Sequence, residues 1–210
     1  MMKRLLLALF AACFSAAALS AAPDVPDPFS DELRGFERDL DEIERSLLVA
    51  ASSKSGSALQ KDMEKRLSEF TTRSRRLQLA LGGTREGKRF SFTEPVNRLS
   101  NVFSKLHQGK ERPARSLTLR RTSNGEFHRA KRSDITKIQK SEGSPAEKAA
   151  AIEDLYDEWL STVKNDNLRR CGRVSSENLR ALYEDYALAL FDLRHLIREI
   201  RRNKVKAPAK

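Results

Sequence analysis

The sequence predicts an all-α fold, a bundle of five or six helices, on three observations. Apolar residues recur in steps of three and four at Leu33, Phe36, Leu40, Ile43, Leu47 and Ala50, the seam of a helix that packs on a partner. Ser144-Pro145-Ala146-Glu147 is a capping-box signature with proline at the first helical position, and a second periodic stretch follows it. A third stretch, Leu179 to Ile200, carries an apolar face broad enough to be covered on several sides.

Residues 1–22 read as a secretory signal peptide. Met1-Met2-Lys3-Arg4 is a basic start, Leu5–Leu19 is an apolar run of 15 residues, and Leu19-Ser20-Ala21-Ala22 is a small-residue exit before Pro23. The run is shorter than the ~20 residues that cross a bilayer as a helix. Phe10-Ala11-Ala12-Cys13 is a poor lipobox, because cutting there would leave apolar sequence downstream. The expected mature protein is therefore periplasmic or secreted, with no transmembrane span. Removing 22 of 210 residues leaves 188, enough for one core without disulfide staples.

Residues 23–29, with Pro23, Pro26 and Pro28, are expected to be an extended leader. Ser30 is placed to cap the first helix of the 30–203 bundle, with Asp31 and Glu32 favourable in its first turn. Ser52 to Ser57 reads as a turn, and Leu59, Met63, Leu67, Phe70, Leu77 and Leu81 mark a second helix that stops at Gly82-Gly83. Matching lengths predict an antiparallel, coiled-coil-like hairpin. Thr93-Glu94-Pro95 opens a shorter helix with Val96, Leu99, Val102, Phe103 and Leu106, ending near Gly109. Residues 109–132 break the pattern: Pro113 interrupts, and Asn124-Gly125 suits the tight turn of a small β-hairpin, the alternative being a basic loop. The helix after Ser144 presents Ile152, Leu155, Tyr156, Trp159, Leu160 and Val163, and the last is capped by Ser175. Residues 204–210 are a basic tail.

Charge is uneven along the chain. Residues 24–44 hold nine acids and two bases, whereas residues 83–141 hold fifteen bases and five acids. Arg85, Lys88, Arg89, Arg112, Arg115, Arg120, Arg121, Arg129, Lys131 and Arg132 are the candidate partner-binding residues, on the expectation that a loop or hairpin brings them to one side. Such a cluster attracts an anionic surface, a polysaccharide or an acidic protein. The competing reading pairs these cations with the acidic first helix. No nucleic-acid-binding motif accompanies them.

Cys171 is the one cysteine beyond the signal peptide and lies in Arg169-Arg170-Cys171-Gly172-Arg173. Neighbouring cations favour its thiolate, making it a candidate for an intermolecular disulfide and hence a homo-oligomer. His107, His128, His195 and Met63 come without a Cys-x-x-Cys-His attachment, and Asp192-x-x-His195 is a single step with no second, so no cofactor or metal is expected. Glu153, Asp154, Asp157 and Glu158 read as a solvated helical face rather than an acid/base pair, since no nucleophile or base accompanies them. The leading expectation is an exported, non-enzymatic binding or scaffold protein with a basic patch. A helical carrier of a small ligand, with a pocket beside Trp159, Tyr183 or Tyr186, comes next, and an enzyme third.

Overall fold

In the computed structural model, which describes residues 28–52, 58–85, 87–108 and 117–203, the described residues form seven α-helices and no strand. The signal peptide, most of the leader, the turn at 53–57, Arg112, Arg115 and the basic tail lie outside the described residues. The first hairpin follows from its periodicity: α1 (Pro28–Ser52) and α2 (Ala58–Gly82) pack against each other. The six seam residues Leu33 to Ala50 are all buried in one cluster with Met63, Leu67, Phe70, Leu77 and Leu81, while Leu59 is exposed. Phe36 is the centre of this contact, stacked on Phe70 at 4.3 Å and edge-on to Phe92 at 4.9 Å. α1 begins at Pro28, two residues before the cap expected at Ser30.

Gln78 fixes the link to the third helix, its amide donating to Phe90 O and accepting from Phe92 N, both at 2.9 Å. Between them, a 3₁₀ turn at Gly87–Arg89 closes so tightly that a Cβ on Gly87 would lie 2.2 Å from Leu81 O and 2.3 Å from Thr84 Oγ1. Backbone cannot move aside as a side-chain tip can. Gly87→Ala is therefore expected to cost about 1–3 kcal/mol in urea unfolding.

α3 (Thr93–Gln108) buries the five predicted apolar positions. α6 (Pro145–Cys171) has the full capping box, with Ser144 Oγ accepting from Glu147 N and the Glu147 carboxylate accepting from Ser144 N. α7 (Glu177–Arg202) packs on α1, α3 and α6, the central position its wide face predicts. Its cap is Ser176, one residue past the expected Ser175.

The 109–132 expectation is the main correction. The described part runs without regular secondary structure over 117–123 into α4 (Asn124–Ala130), and α5 (Arg132–Lys140) follows, so the described residues hold seven α-helices against the five or six expected. Asn124-Gly125 opens a helix instead of turning a hairpin, because Ser123 Oγ accepts from Glu126 N at 3.4 Å. Phe127 and Ile135 then have somewhere to go: both are buried on Tyr156, Trp159, Leu160 and Val163 of α6, in an apolar cluster separate from the main core.

Candidate anionic-partner interface

α4 and α5 form a basic lobe on the outer side of α6. Residues 120–140 hold seven bases, Arg120, Arg121, Arg129, Lys131, Arg132, Lys137 and Lys140, and two acids, Glu126 and Asp134. Phe127 anchors the lobe, 4.7 Å from the Tyr156 ring and 5.6 Å from Trp159. Anchoring this apolar side turns the cations outward: Arg121, Arg129, Arg132, Lys137 and Lys140 are exposed. Arg129 pairs with Glu126 at 3.2 Å, and Lys131 and Lys137 each approach Asp134 at 3.7 Å. Arg121, Arg132 and Lys140 make no ion pair among the described residues.

The segment 117–123 straps this lobe to the bundle. Arg170 Nη1 donates to Thr118 O at 2.9 Å. The Asn167 amide takes both backbone groups of Arg120, accepting from its N–H at 2.8 Å and donating to its C=O at 2.9 Å. Arg120 itself is half buried and pairs with Asp166 at 2.9 Å, a hydrogen bond that holds the Asp166 carboxyl below its ordinary value. At Thr122 the strap reaches the interior: its N–H and hydroxyl donate to Glu44 Oε1 at 2.5 and 2.9 Å, and its carbonyl accepts from Tyr156 OH at 2.8 Å.

Below the strap lies Arg194 of α7, 1 % exposed. Its guanidinium pairs with Asp41 and, at 3.1 Å, with Glu44, and Nε donates to Thr122 Oγ1 at 3.3 Å. Burial alone would push this guanidinium's pKa down. Glu44, Tyr156 and Asp41 together outweigh it, so the group is raised and stays charged. Tyr186 OH donates to Glu44 O at 2.9 Å, and burial holds both Tyr156 and Tyr186 protonated far above the ordinary phenol range. One turn on, Arg198 lies over the Tyr156 ring at 3.7 Å and pairs with Asp157 at 3.1 Å and with Glu153.

These two arginines were not among the expected site residues. Their sequence signal is a charge inside an apolar stripe: Arg194 follows Leu190 and Leu193, and Arg198 follows Ile197. They also correct the reading of the α6 acids. Glu153 and Asp157 bind Arg198, and Asp154 and Asp157 bind Arg202, so three of the four acids join helices instead of facing water alone.

The predicted cation block is divided between two carriers. Arg85, Lys88 and Arg89 are exposed at the turn after α2, with Arg89 4.9 Å from the Phe90 ring. Arg120, Arg121, Arg129, Lys131 and Arg132 belong to the strap and lobe on α6. The seven acids of α1 are neutralised by other residues: Asp31 by Arg34 of α1 itself, Glu32, Asp39 and Glu42 by Arg66, Arg73 and Arg76 of α2, and Glu37, Asp41 and Glu44 by Arg201 and Arg194 of α7. The described ion pairs of these acids include none with the basic block.

Cys171 is the last residue of α6, not a loop residue, and is fully buried. Burial, with Glu184 adding, pushes its thiol up to about 11, the reverse of the thiolate expected from its cationic neighbours. A disulfide to another chain would require the end of α6 to open. His107 stacks on Phe103 and His195 on Phe191, each at 5.9 Å, and Asp192 pairs with Arg98 at 3.1 Å. Among the described residues no group of three or more His, Cys, Asp or Glu could hold a metal ion, and no helix is long and apolar enough to cross a membrane. Comparison of the chain with known protein families, curated proteins and solved structures gives no match.

Proposed function

We propose that this is an exported, non-enzymatic binding scaffold of the cell envelope or extracellular space, whose α4–α5 lobe docks on an anionic partner such as phosphorylated headgroups or acidic polysaccharide. The observation that carries the reading is the allocation of counter-charges. Six of the seven α1 acids are engaged by α2 and α7 and Asp31 by Arg34, so none draws on the lobe, whose Arg121, Arg132 and Lys140 make no ion pair among the described residues and are available to an external anion. The lobe has no exposed large apolar side chain, which favours electrostatic docking over insertion. Export rests on the basic start, apolar run and small-residue exit of residues 1–22. Trp159, Tyr183 and Tyr186 are buried within the packed clusters, an arrangement that favours a filled scaffold over a carrier with a pocket beside those rings.

Two measurements test this. N-terminal sequencing of the protein recovered outside the cytoplasm is expected to begin at Ala22 or Pro23, and an intact Met1 there would refute signal removal. Sedimentation with phosphatidylglycerol vesicles and retention on a heparin column are expected to show binding at low salt that is lost at high salt. Vesicle binding without heparin retention assigns the headgroups, the converse assigns polysaccharide, and failure on both ends the polyanion reading.

A further inference from the structure

The lobe is not the only surface prepared for contact. Between α2 and α3 lies an open groove of about 370 Å³, lined by Thr71, Ser74, Arg75, Gln78 and Leu79 of α2 and by the first turn of α3 at Val96. Leu79 stands on it 78 % exposed, the most exposed large apolar side chain among the described residues. We infer that this groove is a second docking site, for an acidic amphipathic segment of a partner protein that sets an apolar side chain beside Leu79 and a carboxylate on Arg75.

Charge complementarity identifies the occupant. Of the four arginines of α2, Arg66 pairs with Asp62 and Glu42, Arg73 with Glu32 and Asp39, and Arg76 with Glu32. Arg75 is exposed and makes no ion pair among the described residues. The groove's other polar groups are largely committed: Gln78 to Phe90 and Phe92, Ser74 to Thr71 O, and Thr71 to Leu67 O. A visitor therefore meets an apolar ledge beside Arg75, which has no ion pair among the described residues. From Thr71 to Leu79 the groove runs about 12 Å at 1.5 Å per residue, the length of two helical turns. A second copy of the chain fits less well. Two-fold packing of α2 on itself about the middle of the groove would set Arg75 against Arg75, a like-charge contact. This site lies on α2 and α3 and does not depend on the polyanion reading.

Panning a peptide-display library on the protein, with Leu79→Asp as the counter-selection, tests the proposal. The expected pool carries a large apolar residue with flanking Asp or Glu. Selected peptides should bind Leu79→Asp at least about tenfold more weakly. Arg75→Glu should reverse the preference, weakening these peptides and admitting their Lys-substituted versions. Both positions are exposed, so the melting curves should match the parent protein, and Arg75→Glu supplies the test if Leu79→Asp does not. The inference is overturned if no peptide separates the protein from Leu79→Asp, if the acid preference survives Arg75→Glu, or if Leu79→Asp abolishes a concentration-dependent dimer, which would assign the face to a second copy.

Discussion

Glu44→Leu is expected to cost about 3–5 kcal/mol of stability, because it removes one half of a buried ion pair and leaves the other half in place. Arg194 would keep Asp41 as its one carboxylate partner, beside its Nε contact to Thr122 Oγ1, and Thr122 would lose the acceptor for both its N–H and its hydroxyl. Each unsatisfied buried donor adds a desolvation penalty of about 1–3 kcal/mol. Arg194→Met should be similarly damaging, since Glu44 would then be buried without its cation. The double variant should lose less than the two single losses added together, because removing both charges leaves less buried charge uncompensated. Urea unfolding of the four proteins measures the coupling, and strict additivity would mean that the pair is not a unit. Hydrogen exchange at residues 118–123 should also quicken in Glu44→Leu, since that carboxylate is what the inner end of the strap holds.

Phe36→Ala is expected to cost about 3–5 kcal/mol, the range for deleting a buried ring whose site cannot collapse. Phe36 is fully buried and touches rings from two other parts of the chain, Phe70 on α2 and Phe92 before α3. A cavity there loosens the hairpin and its link to the third helix together. Leu79→Ala, on the same pair of helices but exposed, should stay within about 0.5 kcal/mol. Equal losses in thermal unfolding would show that the hairpin seam has been placed on the wrong face.

The helices legible in the sequence are those whose burial is periodic. α1, α2, α3, α6 and α7 each repeat apolar residues over three or more turns, and the seam from Leu33 to Ala50 was buried throughout. α4 and α5 were hidden because each buries a single apolar residue, Phe127 and Ile135. Ser123-Asn124-Gly125-Glu126 supports either a hairpin turn or a capped helix, and the receiving surface on α6 decides between them. The candidate site was legible as composition only. Local spacing shows an excess of cations but not which acids they meet. That depends on contacts such as Arg194 with Asp41, 153 residues apart in the chain. The anomaly of Arg194 in an apolar stripe was visible, whereas its partners were not.

The proposed docking requires that the cations of the α4–α5 lobe act together on an external anion. The most direct measurement is the affinity for phosphatidylglycerol vesicles or heparin, whichever binds, as a function of salt, for the parent protein and for a variant with Arg121, Arg129, Arg132 and Lys137 replaced by Gln. Arg120 is left in place because it pairs with Asp166 and belongs to the strap. At about 1 kcal/mol for each cation near an anionic surface, the variant should bind roughly 10²- to 10³-fold more weakly at low salt and lose less on raising it. Its melting curve should match the parent's, since the four side chains are exposed. A variant that binds as tightly as the parent, or parent binding indifferent to salt, would contradict electrostatic docking by the lobe.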